Sequence, residues 1–105
     1  EDWLPDQAVR VPAATLHGTW TPGTIYVRVG TAGTGTNTII FSTSTTLTGA
    51  RTTRATVALG TAREASAAIT WTPADGEYMW VQVTAVGATA PQKGIAQIDI
   101  EETIY

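Results

Sequence analysis

The sequence predicts an all-β protein, an antiparallel β-sandwich or jelly roll of seven to eight short strands with an extended N-terminal arm. Runs of alternating apolar and polar residues recur along the chain, and turn signals separate them about every 8–12 residues. Threonine supplies 21 of the 105 residues, and this β-branched side chain favours strands. Only residues 59–68 contain a helix-friendly composition, and alternation after Ala65 favours a strand there.

Length and charge indicate one domain, with an arm over residues 1–12 and a sandwich over 13–105. Charged residues make up 14% of the chain and the net charge is −3, with the six basic residues scattered. Nucleic-acid binding needs a basic stripe, and none is visible. No apolar run approaches the ~20 residues of a membrane span. Low charge suits permanent packing against other chains, and a polar but uncharged free surface is the alternative.

Alternation and turn residues predict the strands in order. The first runs over residues 7–11 and ends at Pro12, and the Pro-Gly pair in residues 21–24 predicts a turn. Further predicted strands cover residues 25–29, 37–43, 53–59, 65–71, 77–86 and 95–101. Their predicted inward residues include Ile39, Phe41, Ala55, Val57, Leu59, Ala67, Ile69 and Trp71.

The last third of the chain predicts a β-hairpin. Two alternating runs flank a loop rich in Gly, Pro and Ala over residues 88–94. The expected inward residues are Met79, Val81, Val83, Ala85, Ile98 and Ile100, with Gln97, Asp99 and Glu101 in water.

Two segments resemble the β-sandwich modules of tailed-phage virion proteins. Residues 26–35 read YVRVGTAGTG, and residues 81–91 read VQVTAVGATAP before the alternating strand that ends at Ile100. In those modules one strand ends in a Val-Gly-Thr-Ala-Pro-Thr-Gly-like loop, and a later strand ends in Val-Gly before a loop of small residues. The similarity spans roughly residues 24–100.

The resemblance implies a non-enzymatic structural protein of the virion, a capsid decoration (cement) or tail-associated module that binds neighbouring subunits. The expected partners are a major capsid or tail protein and further copies of the chain, as a homotrimer. A carbohydrate-binding module for a host-surface glycan is the alternative function, and an immunoglobulin-like adhesion domain is a third.

The sequence contains no arrangement typical of a catalytic centre, a cofactor site or a metal site, and none is predicted. His17 is the lone histidine and there is no cysteine, so a metal site lacks its usual ligands. Ser42 and Ser44 lie in a Thr-rich run without an elbow pattern. Turn chemistry explains Asp75 better than catalysis, although calcium bound by the turn between Asp75 and Glu77 is an alternative.

Tryptophans are the most ambiguous candidates. Alternation places Trp80 with Tyr78 and Gln82, on the face opposite Met79 and Val81. Three interpretations stay open for Trp20, Trp71 and Trp80: core, subunit interface or a platform for sugar stacking.

The arm contains Trp3, Leu4 and Pro5, and burial of large side chains stabilises by roughly 1.5–3 kcal/mol each. We expect the arm to pack across a neighbouring subunit; folding back on its own sheet is the alternative. The predicted interface residues are Trp3, Leu4, Tyr78, Trp80 and Tyr105.

Overall fold

A computed structural model of the chain describes residues 2–10, 18–74 and 76–104. Within these ranges the chain forms strands and loops and no helix. The strands are β1 (Asp6–Arg10), β2 (Gly18–Thr31), β3 (Thr38–Ser44), β4 (Thr52–Ala58), β5 (Glu64–Ala68), β6 (Tyr78–Ala85) and β7 (Gln92–Ile104).

Two three-stranded antiparallel sheets face each other, and the arm adds a strand to one of them. Sheet I has the order β1-β6-β3-β4, in which β1 belongs to the arm, and sheet II has the order β5-β2-β7. The all-β prediction is confirmed and the architecture is compatible with a small sandwich. The predicted seven to eight sandwich strands are too many, because six strands form the two facing sheets in the described part of the chain.

The predicted turn at residues 21–24 is wrong, and the strand predicted over residues 25–29 begins earlier, at Gly18. β2 runs through this point while pairing with β7, and its register shifts between Pro22 and Ile25. Proline has no backbone donor and is tolerated in a strand at such a bulge. The exposed carbonyl of Gly23 accepts a hydrogen bond from the Ile69 backbone N–H (3.0 Å). The Pro-Gly pair therefore bends a long strand and does not reverse it.

The predicted hairpin of the last third is also wrong. β6 pairs with β1 and β3 in sheet I, whereas β7 pairs with β2 in sheet II. The connection over residues 86–91 crosses from one sheet to the other. Gly87 is required in it, because a Cβ there would overlap the backbone of Thr34.

The core lies between the sheets and contains most of the predicted inward residues, although Ala85 and Ile100 lie outside it and Ile100 is exposed. Ile39, Phe41 and Val57 are fully buried, and Met79, Val81, Val83 and Ile98 pack against the core from β6 and β7. The predicted alternation is therefore confirmed, although the two strands are not neighbours in one sheet.

Asn37 fastens the loops at one end of the sandwich. It is fully buried, and its Nδ2 donates to the carbonyls of Thr34 (3.2 Å) and Gly60 (3.0 Å). Its Oδ1 accepts from the Gly87 backbone N–H (3.0 Å). One side chain therefore joins the loop before β3, the loop after β4 and the crossing between the sheets.

Candidate interaction surface

The arm closes one side of the sandwich by passing from sheet II to sheet I. Asp2 forms an isolated antiparallel bridge with Gln92, and the Trp3 N–H donates to the Pro91 carbonyl (2.8 Å). The Pro5 carbonyl then accepts from the Val83 N–H (3.1 Å), and β1 follows along β6. Each of these bonds joins backbone atoms, so none of them depends on the identity of the arm's side chains.

Trp3 anchors this path. Its side chain is half-buried and packs against the core cluster. A Cβ at Gly94 would overlap the Trp3 indole, so glycine on β7 lets the ring approach the backbone. The arm therefore adopts the alternative considered above and folds back on its own sheet. The indole of Trp3 is occupied within its own chain, while the neighbouring Leu4 is exposed.

A cleft remains between the sheets beyond Trp3. Its volume is about 400 Å³. The side chains that line it are apolar and include Trp3, Pro5, Met79, Val81, Ile98 and Ile100. Ile100 keeps 37% of its surface exposed although its side chain faces the cleft.

β7 forms the rim of the cleft and the edge of sheet II. It pairs with β2 on one side, and sheet II has no further strand beyond it in the described part of the chain. Gln97, Asp99 and Glu101 are exposed on its outer face, as the alternation predicts. This rim is therefore acidic on one face and apolar on the other.

Trp80 does not form an exposed platform. It is 8% exposed, and its Nε1 donates to the Ser44 Oγ (2.9 Å). The Arg51 guanidinium lies 3.5 Å from the centroid of the Trp80 ring, a cation–π geometry. The orientation predicted for Trp80 is right, but the loop between β3 and β4 covers the ring. Trp80 therefore offers no exposed ring face on which a sugar could stack.

Arg51 organises the polar groups around Trp80. Its Nη1 donates to Asp6 Oδ1 (2.9 Å) and to Gln82 Oε1 (3.0 Å), and the Ser42 hydroxyl also donates to Gln82 Oε1 (3.3 Å). Asp6 belongs to β1, so this network ties the arm to sheet I. The sequence gives no local signal for it, because Asp6 and Arg51 are 45 positions apart.

The outer face of sheet II carries a second, more polar depression. Tyr26 is 45% exposed there, between its cross-strand neighbours Ser66 and Gln97. Arg28 Nε donates to Glu64 Oε1 (2.8 Å) beside it, and Ile95 is 64% exposed. The open depression has a volume of about 730 Å³. Alternation along β2 places Tyr26 and Arg28 on this exposed face, and neither is among the predicted site residues.

The remaining candidates form no chemical centre among the described residues. No group of three or more His, Cys, Asp or Glu side chains is placed to hold a metal ion there. Ser44 Oγ donates to the Thr46 carbonyl (2.7 Å), and Glu77 Oε1 accepts from the Ala74 N–H (2.8 Å). Tyr78 is half-buried on β6. His17, Asp75 and Tyr105, and the side chain of Trp20, lie outside what is described.

Nothing among the described residues has the length and apolarity of a membrane-crossing helix. Comparisons with models of protein families, with curated proteins and with solved structures give no match.

Proposed function

We propose that this protein is a non-enzymatic structural module of a tailed-phage virion, a capsid decoration or tail-associated domain that binds neighbouring subunits. The observation that supports it most is the open apolar cleft at one side of the sandwich. The resemblance of residues 26–35 and 81–100 to virion modules supplies the virion setting.

The proposed action is mechanical. Leu4, Ile95 and Ile100 are exposed apolar side chains near or along the cleft. Burying such surface against a neighbour stabilises the contact by about 25 cal/mol per Å² of apolar area. Because the neighbour binds the folded module, binding shifts the equilibrium towards the assembled state by mass action. The module would thus cement subunits that other contacts have already brought together.

The test is the mass and assembly state of the native protein. We expect mass spectrometry of purified virions to detect the chain, and ultracentrifugation to show a homotrimer or binding to a capsid or tail protein. Ile100→Ser should weaken this association, since it places a polar group in the cleft. Leu47→Ser is the matched control, because Leu47 is exposed on the loop between β3 and β4. A chain that is absent from virions and monomeric at every concentration would overturn the proposal.

A carbohydrate-binding module is the second candidate, favoured by Tyr26 and not by Trp80. An exposed ring flanked by Gln97, Ser66 and the Arg28–Glu64 pair offers stacking and hydrogen bonding to a sugar. Titration with a panel of neutral oligosaccharides should then shift the NMR signals of residues 24–28, and Tyr26→Ala should abolish the shifts. Tyr26→Phe is the control, because it keeps the ring. Shifts that persist in Tyr26→Ala would exclude this face as the site.

A further inference from the structure

We infer that the free edge of β7 accepts one β-strand of another polypeptide, in which apolar residues alternate with Lys or Arg. The added strand extends sheet II from three strands to four and places its apolar side chains in the cleft. This inference rests on the proposed function, since it names the segment of the neighbouring subunit that the module binds.

The first support is the length of the edge of β7 that, after Gln92, pairs with no described residue. β7 runs from Gln92 to Ile104 and pairs with β2 along its other side. An unpaired strand edge presents a row of backbone donors and acceptors, which another strand can satisfy. Peptides bind many proteins in this way, with backbone bonds giving affinity and alternate side chains giving specificity.

The second support is that the chain's own arm already uses the beginning of this edge. Asp2 makes an antiparallel bridge to Gln92 and then leaves β7, because Trp3 and Pro5 carry the arm across to sheet I. The edge is therefore accessible to backbone pairing at its first residue. After Gln92, no described strand lies along this edge of β7.

The third support is that β1 has no facing strand in sheet II among the described residues. Sheet I extends by β1 beyond β6, whereas sheet II ends at β7 on the same side. The position facing β1 in sheet II is therefore empty of any described strand. Met79 and Val81 on one sheet and Ile98 and Ile100 on the other line the space next to it. A strand on β7 would bury these side chains and give each sheet four strands.

The charge on the outer face of β7 indicates the side-chain chemistry of the partner strand. Asp99 and Glu101 are exposed on the outer face of β7, so the cross-strand neighbours of an added strand meet two carboxylates. Antiparallel pairing of β7 with a second copy of itself, centred on Asp99 or Ile100, sets carboxylates opposite one another and is unfavourable in those registers. Lys or Arg at alternate positions matches these carboxylates, and apolar residues between them face the cleft.

The experiment uses the whole chain and three short blocked peptides of equal length. In the first Val alternates with Lys, in the second Val alternates with Glu, and in the third Ser alternates with Lys. We expect the Val/Lys peptide to bind, to slow amide hydrogen exchange over residues 95–101, and to bind more weakly as salt rises. The Val/Glu peptide should not bind, and the Ser/Lys peptide should bind more weakly because it leaves the cleft empty.

Variants locate the site. Asp99→Asn and Glu101→Gln should each lower the affinity of the Val/Lys peptide about two- to five-fold. Ile100→Ser should lower it about three- to ten-fold, since less apolar surface is buried. Glu64→Gln is the matched control: it removes a carboxylate from β5, the other edge strand of sheet II, and should leave the affinity unchanged.

Three results would overturn the inference. They are protection of residues 64–68 in place of 95–101, equal binding of the Val/Glu peptide, and concentration-dependent protection of β7 without any peptide, which would identify a second copy as the partner. The virion test of the proposed function is independent of these peptides. If the chain is found in virions but the Val/Lys peptide does not bind to β7, the proposed function is retained and the inference of an added strand is rejected.

Discussion

One tryptophan closes each side of the sandwich, but the two rings come from different kinds of segment. One follows a strand closely, and the other belongs to the N-terminal arm. Trp71 follows β5 closely, and its ring contacts Phe41 edge-to-face, with centroids 5.6 Å apart. On that side the Thr70 N–H donates to the Arg54 carbonyl (3.2 Å), which joins the chain after β5 to β4. Trp3 reaches the opposite side from the N-terminal arm and leaves a cleft beside it.

The comparison shows that a side closed by adjacent strands differs from a side closed by a terminal arm. Near Trp71 the two sheets are joined through consecutive parts of the chain. Near Trp3 the closure depends on a few backbone hydrogen bonds and one indole, so local opening there should require less free energy than global unfolding. We therefore expect the Trp3 side to be the more dynamic one and the side that binds a neighbour.

Replacing Trp71 should have the largest effect. Trp71→Ala removes the ring that contacts Phe41 and should lower the free energy of unfolding by about 2–4 kcal/mol, as measured in urea. Trp71→Phe should stay within about 1 kcal/mol of the wild type, because the buried Trp71 Nε1 has no hydrogen-bond partner to lose. A large loss in Trp71→Phe would show that this N–H does have a partner.

Replacing Trp3 should cost less, about 1.5–3 kcal/mol for Trp3→Ala, because the indole is half-buried. Hydrogen exchange should accelerate at the Val83 amide, which bonds the arm, and stay slow in the core. Equal acceleration throughout the chain would contradict the view that this side opens on its own.

A double-mutant cycle then tests the contact between Trp3 and Gly94. Gly94→Ala should destabilise the wild type, since its Cβ overlaps the indole, and should have little effect in the Trp3→Ala background. Additive losses would show that the two residues do not interact.

Replacing Arg51 should lower the free energy of unfolding by a smaller amount. Arg51→Ala removes the cation–π contact with Trp80 and the bonds to Asp6 and Gln82, so we expect a loss of about 1–2 kcal/mol. Arg51→Lys should recover only part of it, because an ammonium cannot reproduce the planar fork. Full recovery would indicate that charge alone matters at this position.

Replacing Asp6 should lower the free energy of unfolding the least. Asp6→Asn weakens an ion pair whose carboxylate is largely exposed, so the expected loss is below about 0.5 kcal/mol and should shrink in high salt. A loss as large as that of Arg51→Ala would mean that the arm is held mainly by this pair.

Two of the predicted interface residues, Trp3 and Trp80, have partners within the chain that the sequence pattern did not indicate. Alternation placed Tyr78 and Trp80 correctly on the outer face of β6, yet it gave no sign that Arg51 covers Trp80 from a distant loop. The indole of Trp3 was likewise recognised as needing burial, but its pocket contains Gly94, at the far end of the chain. Contacts between residues so far apart leave no periodic signal in either segment.

The sequence alone determined the all-β class and which side chains face the core, because a strand alternates its side chains whatever lies beside it. Only the tertiary structure decided which strands are neighbours. The apolar rows of β6 and β7 suit a hairpin as well as two strands facing each other across the core, and the crossing over residues 86–91 selects the second. The same non-local pairing carries the arm from sheet II to sheet I and leaves most of the edge of β7 without a described neighbour.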